Sequence, residues 1–530
     1  MHVPLTPLRF LERSERVYEN SLAIACAGAE FTFGQYGERV RRAATALRAL
    51  GVERGDRVLY LGMNCHRLLE LYYANLPIEA ILVPVNVRLA PADIAYVMAD
   101  AAPRVLVLSP EFLPLMAALP VPPSVEHRIL AYPPKGGAVP DGWQLYDDLI
   151  AASESMRSFP TELDETSVVE IFYTSGTTAR PRGVMLSARS LYLHALESII
   201  AESVTDADVA LVGSVPLFHV NGWGAPQTSV AVGAPQIVVP RFEPESLCAT
   251  VERYRCTTVM LVPSMLGALL EYPGFKGYDL SSLRLILLGG APPPLPLLAR
   301  ARAMLPGAEC RVGYGLTETS PVVSVATVKA GLRSRPPEEQ DRIRSLTGMP
   351  LVGTDVRVVR EDGSEVRRDG QEVGEILVRG DQVMDGYWRL PQESAKALAG
   401  GYLATGDLAV VDSEGYLNIV DRKKDIIISG GENIASVEIE EALYRHPAVL
   451  EAAVVAGADD RWGEVPVAFI ALRPGQSADA ETLTAHARGV LAHFKVPKHF
   501  VFLPELPKTG TGKIQKALLR QRWRDDHPAA

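Results

Sequence analysis

Tyr173-Thr174-Ser175-Gly176-Thr177-Thr178-Ala179-Arg180-Pro181-Arg182-Gly183-Val184 is the stretch around which the chain is organised. The apolar run from Val168 to Tyr173 predicts a buried strand. It breaks into small hydroxyl residues and glycine, and a helix-like pattern resumes after Ser187. That order suits a phosphate loop. Small residues let the backbone approach an anion, peptide N–H groups and the hydroxyls of Thr174, Ser175, Thr177 and Thr178 donate to phosphate oxygens, and Arg182 adds positive charge. It is not a Walker A loop: six residues separate Gly176 from Gly183, and Val184 follows where that motif requires lysine. A hydroxyl-rich surface turn shares this composition, so the reading leans on the motifs that accompany it.

Outward from this strand the chain alternates. Helical spacing of Val40, Ala43, Ala44, Leu47 and Leu50 ends at Gly51, a fitting helix stop. Short apolar runs follow at Arg57 to Leu61, Ala80 to Val85 and Arg104 to Leu108, with helix-like segments at Leu68 to Leu76 and Pro91 to Ala101 between them. The alternation resumes at Val209 to Val215, Gln236 to Val239, Thr257 to Val262 and Leu283 to Leu288. It predicts two successive α/β layers around parallel sheets. The polar, proline-rich stretches Pro133 to Gly142 and Gly331 to Ser345 read as surface loops. Beyond Pro350 short strands and tight turns predict a small β subdomain. From about Lys424 a final segment carries its own strands and helices, the last helix being Leu483 to Leu491.

With 530 residues the chain is too long for one core. Its 47% apolar and 22% charged residues are those of a globular protein. A formal net charge of −10 argues against a general nucleic-acid binder. No basic segment followed by an apolar core opens the chain, and no apolar run reaches bilayer length, so a cytoplasmic location is expected, with no transmembrane segment. The five cysteines are scattered and form no Cys-x-x-Cys pair, which predicts buried, reduced thiols.

Four further stretches carry chemistry. In Gly313-Tyr314-Gly315-Leu316-Thr317-Glu318-Thr319 glycines flank a ring that can stack on a base, and Thr317 and Glu318 offer hard oxygens to magnesium. Gly289-Gly290-Ala291-Pro292 leaves a flat backbone face suited to an adenine. Asp407 offers a carboxylate to ribose hydroxyls, and Asp421-Arg422-Lys423-Lys424-Asp425 is a charged border before the last segment. Near the C-terminus Lys513 ends a Gly/Thr loop, Pro507 to Ile514.

Together and in this order these five stretches resemble the adenylate-forming superfamily, which includes acyl-CoA synthetases, peptide-synthetase adenylation domains and firefly-type luciferases. The resemblance covers essentially the whole chain. It implies an α/β fold with a large N-terminal domain (1–424) of two α/β subdomains plus a small β-barrel, followed by a small mobile α+β C-terminal domain (425–530). It also implies a nucleotide site made by the loop from Thr174 to Gly183, including Ser175, Gly176, Thr177, Thr178 and Arg182, with Gly290, Ala291, Tyr314 and Gly315 about the adenine. Asp407 and Arg422 take the ribose, Lys424 is the hinge, and Thr174 and Glu318 are the metal ligands. Lys513, Glu318, Thr317 and His219 are the catalytic candidates. The chain departs from the family in having Ala179 where glycine is usual and Arg182 where lysine is usual, a planar fork in place of a point charge.

The implied reaction activates a carboxylic acid with ATP and Mg2+ to an acyl-adenylate and then transfers the acyl group to CoA. In Phe218-His219-Val220-Asn221-Gly222-Trp223-Gly224, His219 stands where amino-acid-activating relatives carry aspartate, which disfavours an amino acid. The pattern resembles medium- and long-chain fatty acyl-CoA synthetases. His219, Trp223 and Gly224 are therefore expected to bind the acid, with the ring of Trp223 as a gate and Gly224, Ala225, Ser229 and Ala231 leaving room for a chain. Bare backbone at Ser429-Gly430-Gly431 is expected to admit the pantetheine arm. An acyl-AMP ligase that loads a carrier protein and a silent nucleotide-binding protein are the rival readings. The resemblance leaves a homodimer open.

Overall fold

Runs such as Val58-Leu59-Tyr60-Leu61 and Leu285-Ile286-Leu287-Leu288 are fully buried, which requires cover on both faces of the sheet they enter. The computed structural model describes residues 2–174, 180–459, 461–508 and 514–527. Within them lie two large sheets. An 8-stranded sheet carries Ile81–Pro84, Arg57–Leu61 and Val105–Leu108 as parallel neighbours at its centre, with Val168–Thr174 parallel beside Ile81–Pro84. A 9-stranded sheet is built on parallel pairs among Ala210–Val212, Gln236–Val238, Thr258–Leu261, Leu285–Leu288 and Glu309–Gly315.

The two layers are not successive in the chain. The first strand, Leu22–Cys26, pairs in parallel with Gln236–Val238 and so belongs to the second sheet, a non-local pairing that local periodicity does not encode. Arg182 and Gly183, expected in the loop, open the strand Arg182–Ser187, which returns antiparallel against Val168–Thr174. Part of the expected loop from Gly331 to Ser345 is the helix Pro337–Ser345. Proline stands in its first turn with Glu338 and Glu339, and Arg342 and Arg344 stand in its last turn, so its charges complement the helix dipole.

The small β subdomain consists of the antiparallel strands Asp355–Val359, Gly374–Arg379, Leu403–Val411 and Leu417–Arg422 around Val358, Ile376, Val378 and Ala409. A bridge between Gly348 and Leu417 ties its last strand back to the edge of the large sheet, which gives the subdomain its barrel-like closure. The C-terminal portion pairs Val449–Asp459 with Gly463–Leu472 along their length. Helices Ser436–Tyr444 and Ala480–Arg488 cover one face, and Lys516–Asp526, a further helix beyond the expected last one, covers the other. All five cysteines are buried and free, and no helix among the described residues is long and apolar enough to cross a membrane.

Asn64, just past the Arg57–Leu61 strand, joins the two large sheets. Its buried Nδ2 donates to the carbonyls of Gly213 and Pro240, both at 2.9 Å, and Val239 lies at 3.3 Å, while its Oδ1 accepts from Leu217 N at 2.9 Å. Gly213 is held at φ +99°, and a Cβ there would stand 2.3 Å from Val239 O. Replacing the amide strands these buried groups without partners. Asn64→Leu is expected to lower stability by about 3 kcal/mol, read as a shift in the urea unfolding midpoint.

Candidate functional site

Thr174 is the last residue of its strand and Arg182 the first of the next, and the two are partners in register in an antiparallel pair. Of the expected phosphate loop, Ser175, Gly176, Thr177, Thr178 and Ala179 lie outside the described residues. The base of the hairpin is fixed on both flanks. Tyr173 donates to Asp100 Oδ2 at 2.6 Å, and Trp388 N donates to Gly183 O at 2.7 Å. Gly183 has no space for a side chain: a Cβ would meet Ile171 at 2.8 Å and Tyr173 at 3.1 Å.

Arg182 lies with its guanidinium carbon 4.4 Å from the centre of the Tyr387 ring and pairs with Glu393 at 3.6 Å. The hydroxyl of Tyr387 donates to Glu318 Oε1 at 3.0 Å, and Met384 N donates to Glu318 O at 2.9 Å. Tyr387 thus connects Arg182 to the acidic turn, stacked by its ring and bonded by its hydroxyl. Burial, and then the charge of Glu318, hold its phenol protonated well above the ordinary range. Sequence reading passed over Tyr387, although Gly386-Tyr387 pairs with Val184 and Met185 in the sheet. A two-residue strand has no periodicity to find.

The glycine-rich turn is equally constrained. Gly315 ends its strand where a Cβ would fall 1.9 Å from Pro321 O, and Thr317–Thr319 form a single 3-10 turn with Thr317 buried and Glu318 half-buried. Tyr314 donates from its hydroxyl to Asp407 Oδ2 at 2.8 Å, and Arg422 Nε meets Asp407 Oδ1 at 3.3 Å. Asp407 and Arg422 are register partners on neighbouring strands. With its hydroxyl committed, Tyr314 has its ring left to meet a planar ligand. Each Asp407 oxygen keeps further lone-pair capacity. Gly290, at φ +87°, and Ala291 are exposed at the end of Leu285–Leu288.

The segment from His219 to Gly224 has an unusual backbone. Val220, Asn221, Gly222, Trp223 and Gly224 have φ of +38°, +43°, +57°, +63° and +84°, a left-handed turn in which three residues are not glycine. Left-handed backbone costs such residues about 1–2 kcal/mol each, and strain of this kind concentrates at functional sites. Trp223 is buried with its ring against the Gly289 backbone, where a Cβ would lie 2.5 Å from Trp223 Cη2. Gly224 does not leave room for a chain as expected. The space beside it holds His194, whose Cε1 is 2.9 Å from where a Cβ would stand and whose Nε2 accepts from Val322 N at 2.9 Å. Ala231 faces elsewhere in the same way: its carbonyl accepts from Arg13 at 3.1 Å on the N-terminal helix Leu8–Tyr18, and it lines a groove of about 880 Å³ there.

Lys424 sits at the border between the β subdomain and the last segment, its ammonium pKa lowered by burial and then by Arg422. The neighbouring Asp425 pairs with Arg520 of the final helix. Lys513 lies outside the described residues; Lys508 and Ile514 are joined by an antiparallel bridge. Gly431 is open to its surroundings, but Gly430 is not bare, since Trp462 covers it at 2.7 Å from a would-be Cβ.

Glu318 has one oxygen held by Tyr387, and among the described residues no group of three or more His, Cys, Asp or Glu side chains is placed to hold a metal. A lone carboxylate beside a phosphate loop fits magnesium, which takes one or two carboxylates and completes its shell with phosphate oxygens and water.

The AMP-binding enzyme family matches residues 11–388, and its C-terminal domain matches residues 438–513. A long-chain-fatty-acid–CoA ligase of Thermus thermophilus is 38% identical over 505 residues, covering 94% of this chain and 91% of that protein. A feruloyl-CoA synthase of an Amycolatopsis species is 37% identical, covering 96% and 98%. Among solved structures, an anthranilate CoA ligase bound to anthranoyl-AMP superposes with a TM-score of 0.90 at 27% identity, covering 100% of this chain and 99% of that one.

The link through Tyr387 generates a direct test. Tyr387→Phe keeps the ring under Arg182 but frees Glu318, and is expected to lower kcat/KM for ATP about tenfold with little change in melting temperature. Steady-state kinetics at saturating magnesium with a thermal melt of the same preparation check both parts.

Proposed function

From the premise that this chain belongs to the AMP-binding enzyme family and is an ATP-dependent acyl-CoA ligase, we propose that it activates a medium- or long-chain fatty acid and transfers it to CoA. The observation that carries the reading is the chain of contacts Arg182–Tyr387–Glu318, which ties the expected phosphate hairpin to the acidic turn Thr317–Thr319. Attack of a carboxylate on the α-phosphate brings two anions together, so fixed positive charge and donors are what the site must supply. On this reading Thr174, Arg182 and the loop amides grip the phosphates, and Tyr314 and Gly290 to Ala291 flank the adenine. Asp407 with Arg422 takes the ribose, and His219 borders the reacting carboxylate. Magnesium, held by Glu318 and Thr174 when bound, would supply charge neutralisation on the phosphates.

Residues 1–424 and 425–530 act as two domains with Lys424 as the pivot. Lys513 serves adenylation, and the Gly430-Gly431 turn, with Gly431 as its open backbone, serves the CoA thiol. The enzyme works in fatty acid metabolism in the cytoplasm, as a monomer or a homodimer.

One observation favours a second acid class. Trp223 is seated on Gly289 and His194 fills the space at Gly224, which suits a compact branched or aryl acid unless the indole swings. Relatives named for ferulate and for 2-methylpropanoate are 37% and 36% identical to the chain.

ATP–pyrophosphate exchange over acids from acetate through long-chain fatty acids to benzoate and coumarate tests the reading. Exchange that rises with chain length supports the fatty acid. Exchange confined to aryl or short branched acids selects the compact class, and none with any acid sinks both. Lys513→Ala is expected to cut adenylate formation at least ~100-fold while thioester formation from supplied acyl-adenylate stays largely intact. Equal loss of the two steps would overturn the role of Lys513.

A further inference from the structure

The apolar strand that enters the phosphate loop contains one carboxylic acid. Glu170 is 1% exposed, and its strand neighbours across the sheet are Leu82 and Leu186. Asn221 Nδ2, in the middle of the left-handed turn, reaches Glu170 Oε2 at 3.0 Å, and Gln227 Nε2, one helical turn beyond, reaches Oε1 at 3.3 Å. Both amide side chains are buried, and their oxygens, Asn221 Oδ1 and Gln227 Oε1, have no hydrogen-bond partner. The oxygen and nitrogen of a carboxamide are told apart only by such bonding. With its amide reversed, Gln227 presents an acceptor to Glu170, and a protonated carboxyl then accepts from Asn221 and donates to Gln227.

We propose that Glu170, in its neutral form, is the positioning residue of the acid pocket, clamping the left-handed turn that seats Trp223 onto the strand that carries the phosphate loop. The inference rests on the acid-binding role proposed for that turn. Three residues separate Glu170 from Thr174 along one strand, so a shift of the clamp moves the acid pocket relative to the phosphates. The strained turn needs such an outside anchor.

The electrostatics agree. Burial raises the Glu170 carboxyl to about 8. Among the described residues the titratable groups that interact with it are Tyr72 and Tyr73 of the helix His66–Ala74, both held protonated by burial. His194, packed against Gly224, is pushed down to about 3; His219 opens the turn. A carboxyl with its folded pKa raised stabilises the fold fully below its unfolded pKa and loses that contribution as pH rises through about 8. There a buried anion forms that Tyr72 and Tyr73 do not balance.

The test compares the wild type with Glu170→Gln, which keeps the shape and cannot ionise. Trp223 emission, taken as the difference between each protein and its Trp223→Phe counterpart, is followed from pH 6 to 9.5 with no acid present. The wild-type difference spectrum is expected to shift to the red through pH 8 and that of Glu170→Gln to stay constant. In exchange assays the wild-type KM for the acid rises roughly tenfold per unit above that pH, as the neutral fraction falls, while the KM for ATP moves less than twofold and Glu170→Gln stays flat. A Trp223 signal that is constant in the wild type, or that shifts equally in Glu170→Gln, overturns the proposal. A fluorescence shift confined to the wild type, together with no exchange for any acid, keeps the clamp and overturns the acid-binding reading instead.

Discussion

A buried amide, Asn64, holds the carboxyl ends of two parallel sheets together, and the positions of the candidate site follow from it. It stands past the end of one central strand and donates to carbonyls past the ends of two strands of the other sheet. In open α/β sheets ligands bind outside the carboxyl ends of the strands. Thr174, Gly290 and Gly315 all lie at such ends, two of them in the sheet that does not contain the phosphate loop. A site shared by two sheets is only as well defined as the joint between them. The same amide also accepts from Leu217, so the joint fixes the start of the left-handed turn as well.

The polar groups near this joint are each tied by a side chain from another element. Glu318 is held from the Gly386–Tyr387 strand, Tyr314 from the β subdomain, and Asn221 from the phosphate strand. Such cross-bonds order the acceptor and donor groups before a ligand arrives, which lowers the entropy lost on binding. Arg182 is tied in the same way. A lysine at that place would present a point charge, whereas the planar guanidinium covers Tyr387 and pairs with Glu393, so stacking and the ion pair set its position.

What was legible in the sequence follows the same physics. Doubly buried strands are apolar runs, and Val105–Leu108 or Leu285–Leu288 are plain as such. Small residues at strand ends have a backbone reason that survives without coordinates, as Gly315 and Gly183 do in having no space for a Cβ. Sheet membership was not legible for Leu22–Cys26, because its partner lies some two hundred residues on. Glu170 was hidden inside an apolar run whose period it does not disturb, and Tyr387 in a strand too short to have one. The helix Pro337–Ser345 was passed over because it is polar and held by ion pairs, Arg302 with Asp341 at 3.0 Å and Arg344 with Glu309 at 3.1 Å, in place of a broad apolar face.

Around Lys424 polar contacts hold the C-terminal portion to the β subdomain. Asp421 is buried and accepts from both the backbone and the hydroxyl of Ser436, the first residue of its helix. Lys516 donates to that same hydroxyl at 2.6 Å and pairs with Glu440 at 2.7 Å. Ser436, Glu440 and Lys516 all belong to the C-terminal portion, whereas Asp421 lies on the last strand of the β subdomain. These bonds to Asp421 are charge-assisted, and without them its buried carboxylate would lack these partners. Lys516 stands three residues after Lys513. Lys516 thus ties the final helix to the contact that joins the C-terminal portion to Asp421.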